Sequence, residues 1–297
     1  MTIHFITDLT EQLNTTPVTL ALGNFDGVHL GHQALIARTT EGTLCPAVFT
    51  FTDKQKDVIT PLNEKADLLE TMGIEKLFVA PFSLFKSLSP EEFVLYLSEK
   101  LAAKALVCGY NFRFGKDAVG NAESLKALTA PLGISLTVEN EVRLQGETIS
   151  STVIRALLQE GALAKATAML GRPYSLSGSV VKGFGIGKTL SFATLNLEMN
   201  AFRAPLCHGV YITEALIDHK LYPAITNIGK NPTFSREAIS CETHLLNASG
   251  DFYHKEIHVR FLSYLRPEKR FTSPTALKDQ VLADIEAAKA YHAKIKR

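Results

Sequence analysis

Two histidines three residues apart, His29 and His32, stand in the run Gly23-Asn24-Phe25-Asp26-Gly27-Val28-His29-Leu30-Gly31-His32. In a helical turn that spacing puts both imidazoles on one face, where they could donate together to phosphate oxygens. Gly23, Gly27 and Gly31 permit sharp turns and close backbone approach, and a helix opening near Leu30 would aim free N–H groups at an anion. Taken by itself, the histidine pair equally fits half of a metal site or polar groups at a helix start. The glycines and the position after an apolar run favour phosphate. The chain lacks GxxxxGK[ST] and has no GxGxxG at this point, which disfavours a P-loop kinase and a dinucleotide-binding Rossmann site. A second set is Ile149-Ser150-Ser151-Thr152 with Arg155 one turn on, which offers hydroxyls, free N–H groups and a bidentate phosphate donor.

Farther along, Gly183-Phe184-Gly185-Ile186-Gly187-Lys188 supplies exposed N–H groups ending in a cation, suited to phosphates or to a plain hairpin turn. Thr194 and Asn196 sit two apart on a candidate strand, so both point to one face, and both carry the hard oxygens that Mg²⁺ prefers. Glu242 begins a later strand with His244 on its face. Read alone, such a glutamate is an ordinary solvated charge.

These groups need elements to hold them. In the first half, apolar runs at Val18 to Leu22, Ala47 to Phe51, Lys76 to Ala80, Ala105 to Gly109 and Ile134 to Val138 predict strands covered on both faces. Helical stretches lie between them, the clearest opened by Ser89-Pro90-Glu91-Glu92 and running through Phe93 to Leu101. Such alternation predicts a doubly wound parallel sheet with its ligand crevice at the carboxyl ends of the strands. Ser150 or Ser151 caps a helix through Gln159, Gly161 ends it, and Ala162 to Leu170 forms another, stopped by Gly171 and Pro173. We expect two domains, residues 1–170 and 171–297. From Tyr174 onward the pattern becomes strands and turns: Ser175 to Lys182, Val210 to Ile217 before Asp218-His219-Lys220, Tyr222 to Thr226, Glu242 to Asn247 and Ile257 to Leu265. That predicts an antiparallel barrel. A helix after Ser273-Pro274, with Leu277, Val281, Ile285 and Ala288 on one face, should pack on it.

The composition agrees with two soluble cores. The chain has 297 residues, 46% hydrophobic and 21% charged, which excludes disorder, collagen and coiled coil. No apolar stretch approaches the roughly 20 residues of a membrane span, and the four cysteines form no CxxC pair, so a cytoplasmic protein with reduced thiols is expected. Net charge is +1, which argues against a general nucleic-acid coat. The halves differ, however: residues 1–170 hold 14 Lys and Arg against 19 Asp and Glu, and residues 171–297 hold 17 against 11.

In the first half, GNFDGVHLGH, GYNFRFG at 109–115 and ISSTVIR at 149–155 resemble the adenylyltransferase module of the prokaryotic bifunctional riboflavin kinase and FAD synthetase family, a relative of the HxGH nucleotidyltransferases. In the second, LGRPYSLSG at 170–178, GFGIGKTLSFATLN at 183–196, GVY at 209–211, NIGKNPTF at 227–234, ETHLL at 242–246 and LRPEKRF at 265–271 resemble its riboflavin kinase module, in the same order. The resemblance implies a nucleotidyltransferase sheet followed by a six-stranded barrel. It implies phosphorylation of riboflavin to FMN by ATP, then adenylylation of FMN to FAD with release of pyrophosphate. It assigns His29, His32 and Arg155 to charge neutralisation, with Gly23, Asn24, Phe25, Gly27, Gly31, Ser150, Ser151 and Thr152 around phosphate. In the kinase half it assigns Gly183, Gly185, Gly187 and Lys188 to ATP, Thr194 and Asn196 to Mg²⁺, and Glu242 to the base. Asn111 and Arg266 are the implied flavin contacts, Asn111 standing where the family commonly has aspartate. Phe51-Thr52-Asp53-Lys54-Gln55 replaces the family's F-D-P-x-P-like segment, and no role carries over there.

Two rivals stand beside this reading. In one, only one module works. In the other, the scaffold is an RNA-binding regulator, because Lys255, Arg260, Arg266, Lys269 and Arg270 interleave with Phe252, Tyr253, Phe261, Tyr264 and Phe271. Strand alternation accounts for most of that pattern more simply.

Overall fold

The computed structural model describes all residues except 53–56, 182–193, 199–202, 231–238, 247, 249, 251 and 296–297. The chain divides into two compact units, Met1–Val153 and Ile154–Arg297.

The first unit is built on a six-stranded, all-parallel sheet. Its strands are β1 (Thr2–Phe5), β2 (Val18–Leu22), β3 (Cys45–Phe51), β4 (Lys76–Ala80), β5 (Ala103–Gly109) and β6 (Ser135–Glu139), in the order β1-β4-β3-β2-β5-β6. β2 is buried along its whole length because its alternate residues serve two cores. Leu20 and Leu22 face one core with Phe93 and Leu97 of α4 (Pro90–Glu99) and Leu125 of α5 (Ala122–Thr129). Ala21 faces the other with Leu35 and Ile36 of α1 (Leu30–Ala37) and Leu69 of α2 (Leu62–Thr71). A short α3 (Phe82–Phe85) follows β4. The capping box expected at Ser89 is present, with Ser89 accepting from the Glu92 N–H and Glu92 accepting in return. The chain order reverses at β2, between β3 and β5, so the loops after β2 and β5 flank the crevice of a doubly wound sheet.

The sequence pattern did not reveal β1, nor the two-residue hairpin strands β7 (Arg143–Leu144) and β8 (Glu147–Thr148). The hairpin turns through Gln145 and Gly146, both at positive φ.

The second unit begins within α6 (Ser151–Glu160) and continues through α7 (Leu163–Leu170), which ends in a left-handed Gly171. Six strands follow: β9 (Tyr174–Val181), β10 (Thr194–Glu198), β11 (Gly209–Ile217), β12 (Lys220–Lys230), β13 (Ile239–Leu245) and β14 (Glu256–Arg266). They close into an antiparallel barrel in the order β10-β13-β12-β11-β14-β9. The expected Asp218-His219 turn places both residues at positive φ. Alternation then sorts β11: Tyr211, Thr213 and Ala215 are fully buried among the strands, and Val210 and Ile212 pack against Ile285 and Ala288 of α8 (Pro274–Ile295). Within the barrel, the Thr226 hydroxyl bridges those of Thr213 and Thr243 at 2.8 and 2.9 Å, so three buried hydroxyls satisfy one another.

Candidate active sites

In the first unit the crevice holds a cavity of about 930 Å³. The loop after β2 enters it with Gly23, Asn24, Phe25, His29, Gly31 and His32, the loop after β5 with Gly109 through Gly115, and the start of α6 with Ser150, Ser151 and Thr152. Three segments that together span more than 100 residues of sequence thus line one space.

His29 is the N-cap of α1: its Nδ1 accepts from the His32 N–H at 3.3 Å. An accepting Nδ1 carries no proton, so the neutral ring is protonated on Nε2. The His29 and His32 rings stack at 3.6 Å between centroids, and Phe25 meets His32 edge-on. A Cβ on Gly31 would come within 3.2 Å of the His29 ring, which is why a glycine separates the histidines. Burial above all, then the neighbouring His29 and Lys65, pushes the His32 pKa well below the usual imidazole value, so His32 is neutral at physiological pH. Its Nδ1 is buried without a hydrogen-bond partner among the described residues.

The loop that carries these rings is held from several sides. Asp26, almost fully buried, accepts from the Ile59 and Thr60 N–H groups at 2.9 and 3.1 Å. Ser151 Oγ donates to the Asp26 carbonyl at 2.8 Å. Ser150 is the residue that caps α6, its hydroxyl accepting from the Val153 N–H. Arg155 stands one turn beyond Ser151 on that helix, within the second unit.

The same cavity has an aromatic lining of Phe49, Phe51, Phe82, Phe85, Phe93 and Phe112, of which Phe112 lies inside GYNFRFG and none was singled out as a site residue. Their rings pack edge to face, as in Phe49–Phe85 at 5.3 Å and Phe51–Phe82 at 5.4 Å. Asn111 lines the cavity as well. The available signal was compositional, since the chain has 17 phenylalanines and no tryptophan.

In the barrel, strand register decides which side chains meet, because directly opposed residues of an antiparallel pair share a face. Thr194 lies opposite His244 and Asn196 opposite Glu242 across β10 and β13, and Asn227 lies opposite Glu242 across β12 and β13. Thr194, Asn196, Asn227, Glu242 and His244 therefore share the face turned away from the buried Thr243. Although Glu242 reaches solvent, the strands remove part of its hydration and Glu268 repels it, and both raise its pKa above the ordinary carboxylate value. Glu268 passes close over Gly229, where a Cβ would lie 2.3 Å from its Oε1. Asn227 and Glu268 fall inside the NIGKNPTF and LRPEKRF stretches but were not singled out as residues.

Thr194 and Asn196 offer neutral oxygens, which fit a hard cation, and among the described residues no three His, Cys, Asp or Glu side chains cluster as a metal set. Mg²⁺ held there would need ATP phosphates to complete its ligands. Gly183, Gly185, Gly187 and Lys188 lie outside the described residues, as do Asp53, Lys54 and Gln55.

Arg266, the expected flavin contact, donates from Nε to both Asp284 carboxylate oxygens at 2.9 Å and from Nη1 to the Pro267 carbonyl. The guanidinium ties β14 to α8. Lys255, just before β14, pairs with Asp218, and Phe261 is fully buried among the strands, so these two members of the basic and aromatic series have structural roles.

Residues 11–153 match the family model of FAD synthetase and residues 170–292 that of riboflavin kinase. The bifunctional riboflavin kinase/FMN adenylyltransferase of Pseudomonas fluorescens is 34% identical over 284 residues, 91% of each chain. That of Bacillus subtilis (strain 168) is 33% identical over 297 residues, 94% of this chain and 93% of its own. A crystal structure described as a macrolide-efflux protein from Streptococcus pneumoniae superposes with a TM-score of 0.86 at 28% identity, covering 97% of this chain and 98% of that one. Among the described residues no helix is long and apolar enough to cross a membrane. With both catalytic halves matched in order and relatives aligned along nearly the whole length, this chain belongs to the bifunctional riboflavin kinase/FMN adenylyltransferase family.

Proposed function

We propose that the chain converts riboflavin to FAD in two ATP-dependent steps at two sites. The observation that carries the second step is the single cavity shared by the histidine loop, the Ser150–Thr152 helix start and the phenylalanine lining. At about 930 Å³ it lies at the upper end of ligand-pocket sizes, as two large substrates require. We assign residues 1–170 to adenylyl transfer and 171–297 to the kinase, and place both reactions in the cytoplasm.

In adenylyl transfer the FMN phosphate attacks the α-phosphorus of ATP, and the bond to the β-phosphate breaks as pyrophosphate leaves. No protein nucleophile is needed. The protein must hold two anions together and accommodate the charge gathering on the α-phosphate. His29 through Nε2, His32 as a neutral donor, the N–H groups at Ser150 to Thr152 and the Arg155 guanidinium supply that. Asn24, Gly23, Phe25, Gly27 and Gly31 shape the loop around the phosphates. The aromatic lining suits a flat, apolar ring such as the flavin, with Asn111 as a polar contact.

In the kinase step Glu242 takes the proton of the riboflavin 5′-hydroxyl as that oxygen attacks the γ-phosphorus and ADP departs. A positioned base contributes about 10²- to 10⁴-fold. Thr194 and Asn196 would hold Mg²⁺, which neutralises phosphate charge when bound with ATP. Gly183, Gly185, Gly187 and Lys188 complete the proposed ATP contacts. Arg266 stays a proposed flavin contact, its guanidinium oriented by Asp284.

Incubating the protein with riboflavin, ATP and Mg²⁺ and separating riboflavin, FMN and FAD over time tests the whole reading. FMN should rise first and FAD follow. FMN without FAD, or FAD only from supplied FMN, would leave one module working.

A further inference from the structure

Lys65 has no place in the chemistry above, yet it is one of the largest fully buried side chains of the protein, 2% exposed. From α2 its Nζ donates to the Asn24 carbonyl at 2.7 Å and stands 3.5 Å from Thr50 Oγ1. The Thr50 hydroxyl donates to the same carbonyl at 3.0 Å. Two donors from neighbouring elements therefore converge on one oxygen of the histidine loop. The loop needs such support, because Phe25 and Val28 sit at φ of 50° and 40°, where residues with a Cβ are strained, and Gly27 lies between them at 86°. A strained backbone keeps its shape only where its surroundings impose it.

The choice of residue is telling. Burial lowers the Lys65 pKa to about 8, partly opposed by the attraction of Asp26. The ammonium is thus mostly charged at neutral pH, at a desolvation cost that a methionine of similar volume would not incur. Packing alone would favour the methionine. A cation there gains only what it does to the loop and to the field above it, and its charge helps keep His32 neutral.

We propose that Lys65 is a positioning residue for adenylyl transfer: through the Asn24 carbonyl it sets the Gly23–Val28 loop so that His29 and the start of α1 meet the ATP phosphates. This rests on reading the cavity as the adenylyl-transfer site. Lys65 itself touches no substrate.

The test uses full-length Lys65→Met, Thr50→Val and the double variant. With Lys65→Met, kcat for FAD from supplied FMN should fall about 10- to 100-fold, the scale of a small misplacement at a reacting centre, while KM for FMN changes little. Riboflavin consumption by the kinase half should match wild type. Thr50→Val should lower kcat less, and the double variant should lose less than the product of the two, because both act through one carbonyl. Amide exchange at Asn24 to His29 should quicken in Lys65→Met. Unchanged kcat, a loss seen only as a lower melting temperature, or independent multiplication of the two effects would overturn the proposal. If wild type forms no FAD, the reading of the cavity fails, and loop exchange alone then judges Lys65: faster exchange supports the positioning role and unaltered exchange overturns it.

Discussion

Glu242→Gln keeps size and most hydrogen bonding while removing the base, so FMN formation should fall by about 10²-fold or more as FAD formation from supplied FMN persists. His32→Ala should do the reverse, with a loss of order 10²- to 10³-fold in FAD formation and accumulation of FMN from riboflavin. Chromatography of both reactions for each variant checks the pair. The raised pKa of Glu242 adds a pH dependence. The base must be ionised, so kinase activity is lost as pH falls through that pKa, at a higher pH than for an ordinary carboxylate. Glu268→Gln removes a repelling charge, lowers the Glu242 pKa, and should move the acid limb of the kinase kcat profile to lower pH. At this scale the sequence was legible where residue type and spacing are themselves the chemistry, as in His29 and His32 beside Gly31. It was illegible where burial makes the role. A lysine in Glu64-Lys65-Ala66-Asp67 reads as a solvated helix face, and only tertiary packing turns it inward. The pairing of Arg266 was hidden for a related reason: its partner Asp284 lies 18 residues away on another element, with nothing local to mark the pair.

That pair is the main polar anchor of α8. Arg266 and Asp284 are both largely buried, and Gln280 also donates to Asp284 at 2.9 Å. Farther along, His292 Nε2 donates to the Thr213 carbonyl at 3.1 Å. Of the apolar face expected from Leu277, Val281, Ile285 and Ala288, the last three join the cluster against the barrel, and polar anchors add to them along the helix. Arg266→Ala leaves the Asp284 carboxylate buried against a lost partner, and the second unit should lose about 3 kcal/mol in chemical denaturation. The central strands were legible because short apolar runs broken by proline or glycine suit buried strands, and β2, between Pro17 and Gly23, and β4, stopped by Pro81, begin and end where those runs do. β1 was not, since Thr-Ile-His-Phe is four residues long and mostly exposed, too short for any period to show.

The two family matches leave residues 154–169 uncovered, and those residues, which hold most of α6 and nearly all of α7, belong to the second compact unit. α7 packs on β9 and β14, burying Leu163, Ala166, Met169 and Leu170, and the Leu158 carbonyl of α6 accepts from the Cys207 N–H. A fragment of residues 154–297 should therefore melt cooperatively, and one of residues 171–297 should be weaker by several kcal/mol for want of that burial, a difference that circular dichroism melts would read. The two sheets also end differently. The barrel closes on itself, so every strand has two neighbours. The parallel sheet stops at β1, whose Ile3 and Phe5 are 40% and 58% exposed. An open edge with apolar side chains is a template on which other chains can add strands, a hazard that a closed barrel lacks. Heat-induced turbidity should accordingly be seeded through the first unit. Phe5→Lys, which places a charge on that edge, should delay light scattering on heating while leaving the riboflavin kinase rate of the folded protein unaltered.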